Sequence, residues 1–353
     1  MRRIAILAEG AFGPLSAKTA MGVLRYGSDM VVAVIDSASA GKMADEVVGV
    51  VGGVGAGIPV VRDVEEALKY DPDTLLIGIA PIGGRLPDAW RPNILRALAG
   101  KLDVISGLHH FLSDDPELAA AASESGATIW DVRRPPAELA QRIREGTPHR
   151  PGSHTVYFCG SDCDVGKMTV AFEVTREAQR RGLSAGFAAT GQTGIMISGE
   201  GIPVDRFISD FVAGGVEALT LDFANRFDWV FVEGQGSLTH PAYSAVTLGL
   251  LHGCAPDLLI LCHQAGRETV YGYPATRIPP LPRVRQIYED AAGWLKPAPV
   301  VAVALNTYGL PDAEARAAIA ETEREMGLPT TDPVRYGAGP LVEALLAHSD
   351  LHA

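Results

Sequence analysis

The chain has 353 residues, more than one ordinary hydrophobic core organises, so two domains are expected. Its 42 acidic and 30 basic residues give a formal net charge of −12, which argues against a nucleic-acid-binding protein or one that sits on an anionic membrane. No apolar run is long enough to cross a bilayer, and the first residues lack the apolar stretch of a signal peptide, so we expect a cytoplasmic location.

Short β-branched runs alternate with helical patterns in the first part of the chain. Strands are predicted at residues 3–8, 30–35, 74–79, 103–106 and 128–132, and helices at 16–26, 64–70, 89–98 and 115–125. This alternation is typical of a parallel, doubly wound sheet with helices on both faces. A glycine-bearing turn follows the first strand, but its spacing is not G-x-G-x-x-G, so dinucleotide binding is only an alternative here.

The alternation stops near residue 135 and restarts near residue 155. Residues 137–145 are predicted to form a helix, and residues 147–153, with two prolines and a glycine, a linker. Strands then follow at 155–160, 184–190, 229–233, 257–263 and 300–306, with helices at 167–181, 312–326 and 339–348. We therefore predict two doubly wound α/β domains, residues 1–145 and 146–353.

The strongest functional signal is the turn between the first strand and first helix of the second domain. Gly160 and Gly166 let the backbone approach an anion, the helix N-terminus faces it, and Lys167 supplies a positive charge. Five residues rather than four separate the glycines, and Met168 stands where a standard phosphate loop has a magnesium-binding hydroxyl. The spacing resembles the loop of dethiobiotin synthetase. We expect ligand phosphates to meet ten residues: Gly160, Ser161, Asp162, Cys163, Asp164, Val165, Gly166, Lys167, Met168 and Thr169.

Other polar residues follow predicted strands, where a parallel sheet places its site. Gln192 and Thr193 are expected to contact a substrate, and Asn306 a nucleotide base, with helix or turn capping as the alternative for Asn306. Glu233 and His240 are the candidates for catalysis. The alternatives are a carboxylate that caps backbone N–H groups and a loop histidine without a catalytic role.

The cysteines give a weaker indication. Cys159, Cys163, Cys254 and Cys262 form no C-x-x-C pair, which favours a reducing compartment. Zinc at Cys262 and His263 lacks a second ligand pair, so we predict no metal. Arg267, after the same strand, is expected to bind a substrate carboxylate, with surface solvation as the alternative.

The motifs together resemble one family. Residues 160–169, Thr-Gly-Gln-Thr-Gly at 190–194 and Glu-Gly-Gln-Gly-Ser at 233–237 resemble the C-terminal P-loop domain of a family long labelled as of unknown function. Its N-terminal Rossmann-like domain is similar to this chain at residues 17–20, 35–37, 83–84 and 106–109. The resemblance covers essentially the whole chain, and characterised members of the family act as D-glutamate N-acetyltransferases.

The resemblance implies an acetyl-CoA-dependent N-acetyltransferase for a small D-amino acid, first of all D-glutamate, in D-amino acid catabolism. The loop would then bind the phosphates of coenzyme A without a metal, Glu233 or His240 would act as base, and Arg206 and Arg267 would bind substrate carboxylates. One alternative is a ligase or kinase of the dethiobiotin synthetase type that uses ATP and magnesium; another is a nucleotide-sensing regulatory protein. A homodimer or higher homo-oligomer is the expected assembly.

Overall fold

The computed structural model describes residues 1–13, 17–49, 53–81 and 83–349. The chain forms two compact units: an N-terminal unit of Met1–Arg134 with Gln192–Pro203, and a C-terminal unit of Pro135–Gly191 with Val204–Ala353. This division differs from the predicted single boundary after residue 145. Residues 192–203 join the N-terminal unit because their helix packs against that unit's first helix, where the hydroxyls of Thr19 and Thr193 are 2.9 Å apart.

The N-terminal unit contains a six-stranded parallel sheet in the order β3-β2-β1-β4-β5-β6. Its strands are β1 (Arg3–Leu7), β2 (Met30–Ile35), β3 (Val60–Val61), β4 (Thr74–Ile77), β5 (Asp103–Ser106) and β6 (Ile129–Asp131). Its helices in this part of the chain are α1 (Lys18–Tyr26), α2 (Ala44–Val48), α3 (Val64–Ala67), α4 (Arg91–Ala99) and α5 (Pro116–Ser125). The central strands are apolar and buried, as a sheet covered on both faces requires.

The sheet of the C-terminal unit is also six-stranded and parallel, in the order β14-β13-β10-β7-β9-β8. Its strands are β7 (His154–Gly160), β8 (Ala185–Ala188), β9 (Trp229–Val232), β10 (Leu258–Gln264), β13 (Val300–Asn306) and β14 (Thr330–Thr331). A separate antiparallel hairpin pairs β11 (Thr269–Val270) with β12 (Tyr273–Arg277).

Seven helices follow in the second part of the described chain: α6 (Lys167–Arg180), α7 (Gln192–Ser198), α8 (Ser209–Arg226), α9 (Ser244–Cys254), α10 (Leu281–Gly293), α11 (Asp312–Met326) and α12 (Gly339–Ala347). Of these, α7 belongs to the N-terminal unit. The chain leaves β7 for β8 and β9 on one side and then crosses to β10 on the other. The turn after β7 therefore lies at a point where the strand order reverses, the usual place for a ligand in such a sheet.

Residues 137–145 do not form the predicted helix. They make a turn and then an irregular stretch, bound along α8. The carboxylate of Glu217, which is buried, accepts the N–H groups of Glu145, Gly146 and Thr147 at 2.7 to 3.1 Å. These bonds hold the end of the segment in a non-helical conformation, with a φ of 74° at Gly146, so that tertiary contacts override its helical propensity.

No helix among the described residues is both long enough and apolar enough to span a bilayer.

Candidate active site

The turn after β7 has the backbone shape of an anion-binding loop. Asp164 and Gly166 both have positive φ, 58° and 104°, and α6 begins at Lys167. Such changes of backbone hand turn successive N–H groups toward one point, where they form a nest for an anion. The left-handed φ of Gly166 is one that a β-carbon strongly disfavours, which explains the glycine directly before Lys167.

The backbone N–H groups of this loop fall into two sets, those with a hydrogen-bond partner and those without one within the described residues. The N–H of Ser161 donates to the carbonyl of Cys262 at 3.0 Å, and that of Cys163 donates to the carboxylate of Asp162 at 2.7 Å. The N–H groups of Val165, Gly166, Met168 and Thr169, by contrast, have no hydrogen-bond partner within the described residues. Unpaired amides at a helix N-terminus carry a partial positive charge and are the donors that bind phosphate.

Lys167 adds a full positive charge to these donors. Its side chain is largely buried and folds back over the loop, so that Nζ donates to the carbonyl of Asp162 at 2.7 Å. A β-carbon at Gly160 would lie 3.1 Å from that Nζ, so glycine is the residue that leaves room for the ammonium group. The hydroxyl of Tyr288 donates to the carbonyl of Gly160 at 2.8 Å and accepts the N–H of Leu238, which fixes the start of the loop.

Asp162 and Arg267 hold the middle of the loop. The buried carboxylate of Asp162 accepts the N–H of Tyr271 at 2.7 Å and one guanidinium N–H of Arg267 at 3.2 Å. Arg267 also donates to the carbonyl of Cys163 and to the side chain of Gln264. The guanidinium predicted to bind a substrate carboxylate is thus bonded to the loop itself, to a partner 105 residues earlier in the chain.

The zinc alternative at Cys262 and His263 does not fit the structure. The hydroxyl of Ser161 lies 2.7 Å from Nδ1 of His263, so that ring nitrogen is already engaged. Burial, followed by the charge of Arg267, lowers the pKa of His263 to about 4. Burial raises the pKa of the Cys262 thiol to about 12, which disfavours the thiolate that zinc requires.

One group of three potential metal ligands occurs among the described residues: Asp162, Cys163 and His240, whose ligand atoms lie within 4.8 Å of one another. The group does not suit a cation. Asp162 is already paired with Arg267, and Nδ1 of His240 accepts the N–H of Ala242 at 3.1 Å. That bond requires the lone pair on Nδ1, so the proton of the neutral ring lies on Nε2, the atom that a metal would need.

Glu233 follows β9 beside the loop and is buried, with 4% of its surface exposed. Its Oε2 accepts the N–H groups of Thr190 and Gly191 at 3.0 and 3.1 Å, and the Thr190 hydroxyl donates to the Glu233 carbonyl. The carboxylate of Glu233 therefore caps two backbone N–H groups, as in the alternative that we considered for this residue.

His240 is also next to the loop and is only 2% exposed. Its Nε2 has no hydrogen-bond partner within the described residues and lies 4.0 Å from the Asp162 carboxylate, beyond hydrogen-bonding distance. The ring packs against Tyr243 and Tyr273, with centroid distances of 4.6 and 5.3 Å. Because the proton sits on Nε2, His240 is arranged to donate a hydrogen bond and not to accept a proton there.

The remaining predicted residues are more dispersed. Asn306 ends β13; its side-chain oxygen accepts the N–H of Tyr308, and its Nδ2 is 3.9 Å from the position of a β-carbon on Gly166. Gln192 and Thr193 begin α7 in the N-terminal unit, where Thr193 pairs with Thr19. Arg206 is exposed in a short 3₁₀ turn, Val204–Arg206, tied at its start to the carbonyl of Thr190 at the carboxyl end of β8.

The sequence did not predict the β11–β12 hairpin, which is bonded to the anion loop through Tyr271. Tyr271 and Gly272 form the turn of the β11–β12 hairpin, Tyr273 begins β12, and Gly272 has a φ of 77°. A glycine between two tyrosines, next to β-branched residues, is a hairpin signal that could have revealed this turn. It would not have shown that the backbone of Tyr271 is bonded to Asp162.

These features define a two-unit α/β protein whose second unit carries a phosphate-type anion loop on the carboxyl edge of a parallel sheet. A family model described as the P-loop domain of DUF1611, a domain of unknown function, matches residues 142–342, and a model for the Rossmann-like N-terminal domain matches residues 37–135. The chain belongs to the DUF1611 family, and the predicted fold class is confirmed.

Named relatives agree with this assignment. A D-glutamate N-acetyltransferase of Tritonibacter scottomollicae is 43% identical over 84% of this chain and 88% of its own, and one of Pseudoalteromonas sp. is 33% identical over 79% and 83%. A solved DUF1611 structure from Anabaena variabilis superposes with a TM-score of 0.91 at 39% identity, covering 98% of this chain and all of its own. The chain is thus an enzyme of the N-acetyltransferase class.

Proposed function

We propose that the protein transfers the acetyl group of acetyl-CoA to the amine of D-glutamate. The observation that carries the proposal is the loop beside the ammonium group of Lys167, whose amides at Val165, Gly166, Met168 and Thr169 have no partner in the part of the chain that the structure describes. Coenzyme A carries a pyrophosphate and a 3′-phosphate, which are the anions that such donors bind. The relatives of known name support both the acetyl transfer and D-glutamate as acceptor.

The surroundings of the loop favour acetyl-CoA over ATP with magnesium. A phosphate loop that binds Mg²⁺ supplies a hydroxyl directly after its lysine, and Met168 stands there instead. The two buried carboxylates nearby are committed to the protein, Asp162 to Arg267 and Tyr271, and Glu233 to Thr190 and Gly191. Binding of coenzyme A requires only hydrogen-bond donors and a positive charge for its phosphates, and the loop has both.

In the reaction the neutral amine of the amino acid attacks the thioester carbonyl. The carbon–nitrogen bond forms, the carbon–sulfur bond breaks, the coenzyme leaves as its thiolate, and the amine loses a proton. The long pantetheine arm separates the thioester from the pyrophosphate, so residues that touch the phosphates bind and orient the donor and do not handle the reacting atoms. We therefore propose that Glu233 fixes the Thr190–Gly191 turn and is not the base.

The amino acid's carboxylates need cationic partners of their own. With Arg267 bonded to the loop, Arg206 is our proposed contact, because its exposed guanidinium lies in a turn held at the carboxyl end of β8. The cysteines form no disulfide, which agrees with a reducing compartment, and we include a cytoplasmic location and a homo-oligomeric assembly in the proposal.

The test is an assay of the purified protein with acetyl-CoA and D-glutamate after treatment with EDTA. We expect N-acetyl-D-glutamate and free coenzyme A in equal amounts by mass spectrometry, at a rate that EDTA does not change. L-Glutamate and D-alanine serve as control acceptors and should react more slowly. Turnover that requires magnesium and ATP, with release of ADP or AMP, would replace the proposal with an ATP-dependent ligase.

A further inference from the structure

A cluster of aromatic rings adjoins the anion loop of the C-terminal unit. Tyr243 and Tyr273 pack against the ring of His240, and Tyr271 lies in the same hairpin as Tyr273, with its ring centroid 6.0 Å from the guanidinium of Arg267. We call these three tyrosines with His240 the aromatic surface. The tyrosines are 51%, 62% and 40% exposed, which is unusual for three neighbouring large rings. The hairpin that carries two of them is tied to the loop, because the N–H of Tyr271 donates to Asp162 at 2.7 Å. The loop amides that can donate to a phosphate and the exposed tyrosine rings thus lie next to each other.

His240 contributes a donor that the protein leaves unused. Its Nδ1 accepts the N–H of Ala242, so the ring proton is on Nε2, and within the described residues this buried Nε2–H has no acceptor. A buried donor without a partner is costly, and native structures rarely keep one unless a ligand or water completes it. The atom lies beside the Asp162–Cys163 part of the loop, 4.0 Å from the Asp162 carboxylate.

The ligand that suits both features has an aromatic base close to a phosphate, which is the chemistry of a nucleotide. In acetyl-CoA that part is the phosphoadenosine end, and the pantetheine arm leads away from it. Bases stack on tyrosine faces, and a neutral imidazole N–H donates well to a phosphate oxygen. We propose that the aromatic surface binds the adenine of the acyl donor and that His240 Nε2–H donates to one of its phosphates, an assignment that rests on the proposed function.

This assignment gives His240 a role different from the catalytic base that the sequence suggested. A residue at the nucleotide end contributes to binding of the donor and is remote from the thioester. Its removal should matter only for donors that carry the nucleotide. A short thioester, S-acetyl-N-acetylcysteamine, presents the same acetyl group and sulfur without the nucleotide and separates the two roles.

The experiment measures kcat and KM of the full chain for D-glutamate acetylation with acetyl-CoA and with the short thioester. His240→Ala should raise the KM for acetyl-CoA about tenfold at nearly unchanged kcat, and leave kcat/KM for the short thioester unchanged. His240→Gln, which keeps a side-chain N–H donor, should restore part of the affinity. Tyr271→Ala and Tyr273→Ala should act in the same way, whereas Tyr70→Ala, an exposed tyrosine of the N-terminal unit, should have no effect.

Other results would overturn the assignment. Equal losses with both donors in His240→Ala would place this side chain at the reacting atoms. A wild-type enzyme that uses acetyl-CoA no better than the short thioester would show that no nucleotide subsite exists. Calorimetric titration with coenzyme A keeps the test separate from turnover: if the wild type binds it and His240→Ala binds it equally well, the inference fails while the proposed function stands. If the wild type acetylates D-glutamate with neither donor, the proposed function itself fails.

Discussion

Each unit of the protein places a glycine-bearing turn between its central first strand and the helix that follows, yet the two turns differ chemically. In the N-terminal unit the N–H of Gly10 donates to Asp36 at 2.8 Å, and Ser37 donates its N–H and its hydroxyl to Glu9. In the C-terminal unit the amides of Val165 and Gly166 are unpaired within the described residues. Among the described residues, an amide of the first turn is therefore bonded to a carboxylate of the protein, whereas these two amides of the second turn have no protein partner.

The difference shows which features allow a glycine-bearing turn to bind an anion. Any doubly wound sheet needs a sharp turn between strand and helix, so glycine alone says little. Asp36 is buried at the end of β2, where a dinucleotide-binding domain holds a ribose, but here it binds the backbone of its own turn. Both turns carry acidic residues and a lysine at the start of the following helix, but Lys167 is buried and folds back over its loop, with Nζ bonded to the carbonyl of Asp162, whereas Lys18 is exposed.

The largest expected effect comes from Lys167, the lysine that begins α6. Lys167→Ala should weaken binding of coenzyme A by about 3 kcal/mol, roughly a hundredfold, because a buried ammonium that meets phosphate is lost. Lys18 begins α1 at the corresponding position of the N-terminal unit, and Lys18→Ala is the matched control with no expected change. Calorimetry with both variants measures the difference. Equal affinities of the two variants would mean that the turns do not differ as described.

A smaller effect is expected for Arg267, which holds the loop through Asp162 and Cys163. Arg267→Ala should lower kcat/KM by about tenfold, or 1.4 kcal/mol, through weaker donor binding. Because the loop serves the donor, the loss should be the same with D-glutamate, D-glutamine and D-alanine as acceptors. A loss confined to D-glutamate would return Arg267 to its predicted role as a carboxylate clamp.

The smallest effect is expected in the N-terminal turn. Asp36→Ala removes the acceptor of the Gly10 N–H and should lower the free energy of unfolding by about 1 kcal/mol. The affinity for coenzyme A should not change, since this turn is not an anion site in our account. Chemical denaturation and calorimetry on the same preparation give both values. A marked change in affinity for coenzyme A would show that the N-terminal turn does take part in binding it.

Much of the fold was predictable because its signals are local. β13 and α11 have the predicted bounds, and α6 ends one residue before the predicted end, since β-branched runs and helical periodicity mark them directly. Helix α8 was not among the predicted helices, and it contains two adjacent residues of low helix propensity, Gly214 and Gly215. The structure explains them: a β-carbon on Gly214 would lie 1.9 Å from the Arg142 carbonyl oxygen, and one on Gly215 would lie 2.5 Å from the ring of Phe207.

The loop was also predictable, whereas the partners of the polar residues around it were not. Glycine spacing and the lysine at the start of a helix identify an anion site from adjacent residues alone. Arg267, Glu233 and His240 instead depend on groups that the fold brings near: Asp162, the amides at Thr190 and Gly191, and the aromatic surface. Arg226, a third arginine near a strand, lies at the end of α8 directly before β9, on the opposite edge of the sheet, and pairs with Asp222.

The most direct test of the account is a crystal structure of the full chain with coenzyme A. We predict that phosphate oxygens lie within hydrogen-bonding distance of the Val165, Gly166, Met168 and Thr169 amides and of Lys167 Nζ, with the pantetheine arm leading away from the loop. Coenzyme A bound with its phosphates elsewhere, and no contact to these amides, would contradict the central claim.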